Sequence, residues 1–400
     1  SSDLKNSKVA FIYGAAGTGK STMINYISSL FKDKQKIFLA NTNPAVENLR
    51  RKVTAEHAEF VTITKFLSKD VSNDCDILCL DECSTISNRD MVRVLQRAQC
   101  KLLVLVGDIY QIESILFGNW FNIAYKVMPK DSVAELTRPH RTTVQGLIEV
   151  WNKVREITED RLEFITRNGL SSTLDESIFS RTEEDEIVLC LNYDGIYGIN
   201  NINKFLQSNN VNPSINWGVL SYKVGDPVLF NESNRFAPLV YNNLKGKILQ
   251  IEEEEDCIYF TIEVYTVLNE LDVIGFDLEL KESVTDETSV IRFKVGRGGD
   301  GNDDNDNVEN VVPFQVAYAI SIHKAQGLEY ESVKVVITSE IEEMVSHNIF
   351  YTAITRAKSK LKIYWSPETE KRILENMKVQ FNDKDYQLFK AKYKEALLKS

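Results

Sequence analysis

A stretch near the start of the chain, GAAGTGKST at residues 14–22, has the residue types and spacing of a phosphate-binding loop. It fits G-x-x-x-x-G-K-[ST], a pattern in which glycines let backbone N–H groups turn inward around phosphate oxygens. Here Lys20 would reach the β- and γ-phosphates and Ser21 would bind Mg²⁺. The alternative is a glycine-rich turn without a ligand. We predict a nucleotide-binding loop formed by Gly14, Ala15, Ala16, Gly17, Thr18, Gly19, Lys20, Ser21 and Thr22.

The stretch LCLDECS supplies the carboxylates that such a loop needs. Asp81 follows an apolar, strand-like run, which is the position of the second Mg²⁺ ligand in nucleoside triphosphatases. Glu82 beside it is placed to polarise the water that attacks the γ-phosphate. The alternative is a pair of surface acids after a strand, which the nearby phosphate loop disfavours. The pair favours hydrolysis of ATP over transfer of phosphate to a small molecule.

A third polar cluster, in VLVGDIYQIES, also follows an apolar run. Gln111 is placed there to sense the γ-phosphate or to hold water, after Gly107 and Asp108. Alone the signal is weak, because Gly-Asp after a strand is a common turn. We include Gln111 among the candidate catalytic residues.

The elements that position these residues alternate along the first third of the chain. KVAFIY, KIFLA, DILCLDE and KLLVLVGD have strand character, and helix-like stretches follow the first three. Such alternation predicts an α/β fold with a parallel sheet covered on both faces. Ligands of these sheets bind at the carboxyl ends of the strands, where each candidate residue lies.

A second alternating block begins near residue 137, and short β-rich runs with turns interrupt it between residues 216 and 295. This pattern of short β-rich runs and turns suggests a small barrel-like insertion. A flexible acidic stretch follows it, and the tail from Pro367 onward is charged and helix-like.

Net charge gives no support for a nucleic-acid partner, because the chain carries −11 at pH 7 and a basic domain is the usual footprint. The acidic residues are clustered, however, in residues 182–186, 252–256 and 299–310. Runs of this kind are usually solvated loops. The overall charge therefore does not exclude a local basic channel.

Six cysteines in 400 residues do not make a disulfide framework. Cys75, Cys79 and Cys83 lie in an apolar run, without the close ligand pairs that are typical of zinc sites. No apolar run approaches the ~18 residues of a membrane span, and the polar start has no apolar signal region. We expect a reduced protein of the cytoplasm or nucleoid that is not secreted.

The order of these motifs resembles that of the superfamily 1 helicases. The phosphate loop is similar to motif I, DECS to motif II and GDIYQIES to motif III. LTRPHRT (136–142), AISIHKAQGLEYESV (319–333) and YTAITRAK (351–358) resemble motifs IV, V and VI. FLANTNPAVENL (38–49) and VTITKFL (61–67) resemble motifs Ia and Ib. Together the blocks cover nearly the whole chain in family order, which makes the resemblance highly specific.

Other stretches narrow the subgroup. SIHKAQGLEY, and VGDPVLF followed by YNNLKGKI, are similar to the RecD and Dda branch, whereas NTNPAVENL is closer to relatives of the nonsense-decay helicase. Both branches belong to group 1B, which moves 5′→3′ on single strands. The resemblance implies an ATP- and Mg²⁺-dependent 5′→3′ translocase or helicase that acts on single-stranded nucleic acid, with DNA favoured over RNA. It would be the motor of a longer protein in DNA repair, replication or antiphage defence.

The resemblance also implies two RecA-like P-loop domains with the nucleotide in a cleft between them. Residues 1–136 would form domain 1A, and residues 137–215 and 308–400 would form domain 2A. Residues 216–307 would form a small SH3-like β-barrel inserted in 2A, with the acidic loop.

Residue roles follow from matching the motifs position by position. Arg141 and Arg356 are implied to be arginine fingers that stabilise charge on the γ-phosphate, and Gly327 and Glu329 to lie near the nucleotide. Small polar side chains suit phosphate oxygens, and aromatic rings suit base stacking. The implied contacts to the single strand are Thr42, Asn43, Thr64, Phe66, His323, Lys324 and Thr352. For Phe66 and His323 a structural role is the competing interpretation.

Two departures from the family pattern lead to further expectations. None of the thirteen residues before Gly14 is a glutamine, so the family's adenine-recognising glutamine motif is not found there. We expect a fragment that lacks an N-terminal domain or a partner protein; relaxed base recognition is the alternative. Only SKDVSND (68–74) stands where the family inserts a strand-splitting pin, so we expect weak strand separation.

Two other classes of function stay open. One is an RNA helicase of viral or RNA-decay type, which RNA rather than DNA would stimulate. The other is a regulatory ATPase switch that does not translocate, whose turnover would be independent of nucleic acid.

Overall fold

The computed structural model describes residues 8–15, 17–68, 73–112, 119–138, 140–231, 235–237, 239–283, 285–297, 310–378 and 383–397. Ala16 of the predicted loop and most of the acidic stretch therefore lie outside the described residues. The chain divides into two compact units. The first comprises Ser1–Ser172, Gln326–Glu331 and Ser339–Ser400, and the second comprises Thr173–Ala325 and Ser332–Thr338. The predicted domain boundaries at residues 136, 215 and 307 stay predictions.

The N-terminal part of the first unit alternates strands and helices, as the sequence predicts. Its elements are β1 (Val9–Gly14), α1 (Lys20–Leu30), β2 (Lys36–Ala40), α2 (Asn43–Lys52), β3 (Ala58–Thr62), α3 (Ile63–Leu67), β4 (Asp74–Leu80), α4 (Asn88–Arg97), β5 (Gln99–Gly107), α5 (Trp120–Val127), β6 (Val133–Leu136), α6 (Gln145–Glu156), α7 (Arg161–Arg167) and β7 (Ser171–Ser172).

The first six strands form one parallel sheet in the order β3-β2-β4-β5-β1-β6. Successive residues of each central strand enter opposite cores, because side chains alternate across a strand. In β1, Ala10 and Ile12 pack with α1 and α2, whereas Phe11 packs with Met91 of α4 and Phe121 of α5. The predicted parallel sheet with two covered faces is confirmed. Its strands end together at one edge, where the candidate residues lie.

The second unit begins with β8 (Glu186–Cys190) and α8 (Ile199–Ser208). The strands that follow are β9 (Ser214–Trp217), β10 (Leu220–Lys223), β11 (Pro227–Phe230), β12 (Lys245–Glu253), β13 (Cys257–Val264), β14 (Glu279–Lys281), β15 (Ser289–Gly296), β16 (Phe314–Val316), β17 (Ala319–Ser321) and β18 (Tyr330–Val336). Six of them form an antiparallel sheet in the order β14-β15-β13-β12-β11-β16, and its core is rich in aromatic rings such as Tyr222, Phe260 and Phe314. The predicted β-rich character is confirmed.

Strands β17 and β18 both pair in parallel with β8. Residues 326–331, which precede β18 and include its first two residues, belong to the first unit. The chain thereby carries the motif that contains Gly327 and Glu329 into the unit that holds the phosphate loop.

The last part of the first unit contains α9 (His347–Ile354), β19 (Ala357–Tyr364), α10 (Pro367–Asn376) and α11 (Asp383–Leu397). Helix α9 is fixed to α6 because Trp151 Nε1 donates to the Ile354 carbonyl at 3.0 Å and His347 Nε2 lies 2.9 Å from the Val154 carbonyl. This packing sets the position of Arg356 just after α9. Among the described helices, none combines the length and apolar character needed to cross a membrane.

Candidate nucleotide site

The phosphate loop connects β1, which ends at Gly14, to α1, which begins at Lys20. Gly17 and Gly19 have φ values of 73° and 82°, a left-handed conformation that favours glycine. A Cβ on Gly17 would lie 2.3 Å from the Cβ of Arg141, so the loop packs directly on that residue. Gly19 is the N-cap of α1 and provides no side-chain cap. Because glycine has no side chain, nothing at the N-cap competes with an anion for the first N–H groups of the helix.

The side chain of Lys20 folds over the loop. Its Nζ donates to the carbonyl oxygens of Gly14 at 2.9 Å and Ala15 at 2.8 Å. Thr18 Oγ1 also donates to the Ala15 carbonyl at 2.9 Å. Burial lowers the pKa of Lys20, and the carboxylate of Asp108 opposes that shift. The loop therefore holds a buried amine, stabilised by acids, where phosphates would bind.

The acid pair follows β4 directly. Asp81 N donates to the Leu39 carbonyl of β2 at 2.8 Å, and Asp81 Oδ1 accepts from Glu82 N at 2.8 Å. Burial raises the pKa of Asp81, and burial together with the Asp81 charge raises the pKa of Glu82 to about 7. Glu82 has a φ of 50°, a strained value for a residue with a side chain and one that is common at functional sites.

The polar cluster after β5 is built around Asp108, which is 2% exposed. Its Oδ2 accepts from Gln111 Nε2 at 3.2 Å and its Oδ1 accepts from Tyr110 N at 3.0 Å. Burial raises the pKa of Asp108, whereas the charge of Lys20 opposes this. Asp108 thus holds Gln111 beside the phosphate loop.

The second arginine is buried at the end of α9. Arg356 is 2% exposed, its Nε donates to the Thr352 carbonyl at 3.0 Å, and its guanidinium also donates to the Leu328 carbonyl at 3.3 Å and the Thr355 hydroxyl at 3.4 Å. Burial, with the nearby Arg141, lowers the pKa of Arg356 to about 10. Its position is therefore fixed by the protein before any ligand binds.

The first arginine is held by an ion pair. Arg141 donates to Glu329 Oε1 at 2.7 Å and to the Thr355 carbonyl at 2.6 Å. Burial alone would raise the pKa of Glu329, but Arg141 and further cations lower it to about 2. Gly327 has a φ of 77°, and a Cβ on it would lie 3.6 Å from Glu82 Oε1.

These side chains line a cavity of about 250 Å³ within the first unit. It brings together the four predicted catalytic residues, Glu82, Gln111, Arg141 and Arg356, and the two predicted metal ligands, Ser21 and Asp81. Of the predicted nucleotide contacts, it includes Gly17, Gly19, Lys20, Thr22, Gly327 and Glu329. Gly14, Ala15 and Thr18 form the base of the loop instead.

Four predicted nucleic-acid contacts lie at exposed positions: Thr42, Asn43 and Thr64 in the first unit and His323 in the second. The Thr42 hydroxyl caps α2 by accepting from Ala45 N at 3.4 Å. Lys324 is half-buried, and its Nζ donates to Gln315 Oε1 at 3.0 Å. Partial burial lowers the pKa of Lys324.

The structure contradicts two of the predicted nucleic-acid contacts. Phe66 is 0% exposed, packs in the core below the sheet and lies under Arg97, whose guanidinium is 5.6 Å from the ring centroid. Thr352 is 0% exposed, and its Oγ1 accepts from Ile112 N at 3.2 Å. Neither side chain can reach a nucleic acid, because both are enclosed by their own fold.

Phe66 and Thr64 of α3 give a matched pair of variants. Phe66→Ala should lower the free energy of unfolding by about 3–5 kcal/mol, since it opens a cavity in a packed core, and should leave single-strand affinity per folded molecule unchanged. Thr64→Ala should leave stability nearly unchanged and weaken binding. Denaturant unfolding and fluorescence anisotropy with a labelled oligonucleotide measure the two effects; intact binding by Thr64→Ala would remove it as a contact.

Six residues that line the cavity were not among the predicted site residues: Asn48, Lys52, Ser84, Gly107, Asp108 and His140. The signal for Asp108 was its place directly after a buried strand. A Cβ on Gly19 would lie 3.6 Å from His140 Cδ2, a proximity that its position beside Arg141 could have suggested. Asn48 and Lys52 lie on one face of α2, and only the folded structure brings that face to the loop.

Comparison with known proteins finds helicase relatives of this chain. A family model described as an AAA domain matches residues 3–175, and a model of the UvrD-like helicase C-terminal domain matches residues 316–364. The RecBCD enzyme subunit RecD of Mycolicibacterium smegmatis is 22% identical over 336 residues, which cover 76% of this chain. The ATP-dependent DNA helicase Pif1 of Campylobacter jejuni is 23% identical over 438 residues, which cover 88% of each protein.

The chain is similar to the RecD and Pif1 helicases. An uncharacterized protein of Methanocaldococcus jannaschii is 24% identical over 438 residues, which cover 90% of this chain. The chain spans 36% of the length of that relative and 52% of the length of the Mycolicibacterium smegmatis RecD subunit.

Solved structures agree on the fold. Pif1 helicase from Candida albicans is 18% identical, with a TM-score of 0.53 and coverage of 92% of this chain and 94% of that one. Pif1 helicase from Bacteroides in complex with ADP-AlF3 and ssDNA is 17% identical, with a TM-score of 0.52 and coverage of 91% and 89%. The predicted RecA-like α/β fold of the chain is confirmed; the SH3-like architecture of its β-rich part stays a proposal.

Arg356→Ala should slow hydrolysis by about 10²-fold while changing single-strand affinity little. The loss is smaller than for a lone arginine finger because Arg141 would still stabilise the charge. Arg161→Ala is the matched control, since Arg161 also donates to backbone carbonyls of the first unit, among them Thr158 at 2.7 Å. Steady-state ATPase rates and anisotropy make the comparison; an equal loss in both measurements would assign Arg356 a structural role instead.

Proposed function

We propose that this chain is an ATP-dependent translocase and helicase that moves 5′→3′ on single-stranded nucleic acid, with DNA preferred to RNA. The observation that carries the proposal is the single cavity in which the phosphate loop, the acid pair and two arginines meet. Phosphoryl transfer depends mainly on positioning and on charge stabilisation, and this set of groups supplies both. The similarity to RecD and Pif1 helicases supports the direction and the substrate.

The donor set fits Mg²⁺, which prefers oxygen ligands. Ser21 offers a hydroxyl and Asp81 a buried carboxylate, both on the wall of the same cavity, and these two residues would hold the ion. When bound, Mg²⁺ would neutralise part of the charge of the phosphates.

Each of the protein groups in the cavity would then have a separate role in hydrolysis. Lys20 and the N-terminus of α1 bind the phosphates, and Glu82 orients the attacking water and accepts its proton. Gln111, held by Asp108, positions the same water. Arg141 and Arg356 stabilise the charge that develops on the γ-phosphate oxygens.

The proposal also covers the β-rich insertion, the larger protein or assembly and the nucleic-acid substrate. Residues 216–307 would form the SH3-like insertion, for which the antiparallel strands give support. The chain would be the motor of a longer protein or assembly in DNA repair, replication or antiphage defence, with a further domain or partner protein. Support for a single-stranded substrate comes from the Bacteroides Pif1 complex with ssDNA.

The decisive experiment measures ATPase rates with single-stranded DNA, with RNA and without nucleic acid, side by side. We expect strong stimulation by DNA and weaker stimulation by RNA. A turnover rate that neither polymer changes would overturn the proposal and favour a regulatory switch. Stronger stimulation by RNA would reverse the assigned substrate.

A second expectation concerns strand separation, because only residues 68–74 stand where the family inserts its pin. We expect efficient DNA-stimulated ATPase but little displacement of the complementary strand from a 5′-tailed duplex. A 3′-tailed duplex is the control for direction. Robust unwinding by the chain alone would contradict the expected role of the missing pin.

A further inference from the structure

Two polar side chains of α2 enter the nucleotide cavity without a role in the scheme above. Asn48 and Lys52 are four residues apart, so they lie above one another on the same face of the helix. That face borders the buried residues Ala45 and Leu49. Helix packing therefore fixes the face of α2 on which both residues lie, and both line the cavity.

The charges of the cavity set Lys52 apart. Three of its four cationic side chains already donate hydrogen bonds to the protein: Lys20 to the loop carbonyls, Arg141 to Glu329, and Arg356 to the Thr352 carbonyl. Among the cavity residues that the structure describes, Lys52 is the cation whose ammonium group makes no hydrogen bond or ion pair. Its three donors remain available to a ligand.

The location of the ammonium group follows from the acids that it influences. Lys52 is, after Arg141, the strongest of the cations that lower the pKa of Glu329 against the effect of burial. Asp81 and Glu329 line the same cavity as Lys52. Lys52 therefore faces the part of the cavity that these two acids line. In a phosphate loop the backbone N–H groups take the α- and β-phosphates, so the terminal phosphate would lie on the Asp81 side.

We propose that Lys52 is a further phosphate-contacting residue, which binds the terminal phosphate of a nucleoside triphosphate. This inference rests on the proposed function. The competing explanation is that Lys52 only stabilises the end of α2, whose last turn also contains Arg50 and Arg51. That explanation predicts the same effect for Arg51, which pairs with Glu47 at 3.9 Å and does not line the cavity.

The test compares two probes, a fluorescent non-hydrolysable ATP analogue and the matching ADP analogue, in direct binding titrations. Lys52→Ala should weaken binding of the triphosphate analogue by about 10-fold, the effect of losing one charge-assisted hydrogen bond. It should weaken binding of the diphosphate analogue by less than about 2-fold. Lys52→Arg should restore most of the difference, because it keeps the charge and the donors. Arg51→Ala should change neither affinity.

Each outcome is decisive. If Lys52→Ala weakened binding of both probes equally, or of neither, the assignment of Lys52 would be overturned. The same would follow if Arg51→Ala changed the two affinities as much as Lys52→Ala does. Thermal unfolding midpoints close to that of the unmodified chain verify that the variants are folded. An unmodified chain that binds neither probe would instead overturn the proposed function itself.

Discussion

Replacing Lys20 by alanine should reduce ATP turnover to background, a loss of at least about 10³-fold. The physical reason is that Lys20 is the buried amine at the N-terminus of α1, among Asp81 and Asp108, and its charge would shift to the phosphates when they bind. Loss of a preorganised donor in a water-excluded site costs about 10²–10³-fold by itself, and Lys20 additionally carries a full charge. A coupled-enzyme ATPase assay with saturating single-stranded DNA measures the effect.

The control for Lys20→Ala is another buried lysine in the same unit. Lys36 is 2% exposed and its Nζ donates to the carbonyl oxygens of Lys32 at 3.0 Å, Lys34 at 2.8 Å and Glu56 at 3.0 Å. Lys36→Ala should therefore destabilise the fold but preserve turnover per folded molecule. If Lys20→Ala kept its turnover, the phosphate loop would not be the site of hydrolysis.

Glu82→Gln should keep ATP binding and lose hydrolysis by about 10²–10⁴-fold, the usual contribution of a general base. The amide has the shape of the carboxylate but cannot accept a proton from water. Burial and the Asp81 charge raise the pKa of Glu82 to about 7, which makes it a stronger base than an exposed glutamate. Single-turnover hydrolysis and a nucleotide-binding titration separate the two effects.

Glu135→Gln serves as the control for Glu82→Gln. Glu135 lies on β6 of the same unit, is exposed, and accepts from the Tyr13 hydroxyl at 3.0 Å. The Glu135→Gln substitution should change neither ATP binding nor ATP hydrolysis. If Glu82→Gln weakened ATP binding as much as it slowed hydrolysis, the residue would have a structural role and the base would have to be sought elsewhere.

The local motifs were the part of the site that sequence reasoning could predict. Gly17, Gly19 and Lys20 act through backbone conformation and a charge at a helix start, and these properties depend on residues that are neighbours in sequence. Asp81 and Gln111 were found because each follows a strand-like run, and parallel strands bring their carboxyl ends to one edge.

Contacts between distant parts of the chain were not predictable from the sequence. Phe66 has the residue type of a base-stacking side chain, yet it packs into the core because α3 lies flat on α4 and the sheet. Thr352 matches a motif position, yet its hydroxyl accepts from Ile112 N. Asn48 and Lys52 carry no motif, and α2 brings them to the cavity.

The sequence by itself determined the phosphate loop, the acid pair, the alternation of strands and helices and the resemblance to superfamily 1 helicases. All of these rest on short-range patterns of residue type and spacing. Only the tertiary structure decided that Arg141 is paired with Glu329, that Arg356 is buried at the end of α9, and that Lys52 reaches the cavity. Burial and ion pairing depend on which distant segments pack together, and no local pattern specifies that.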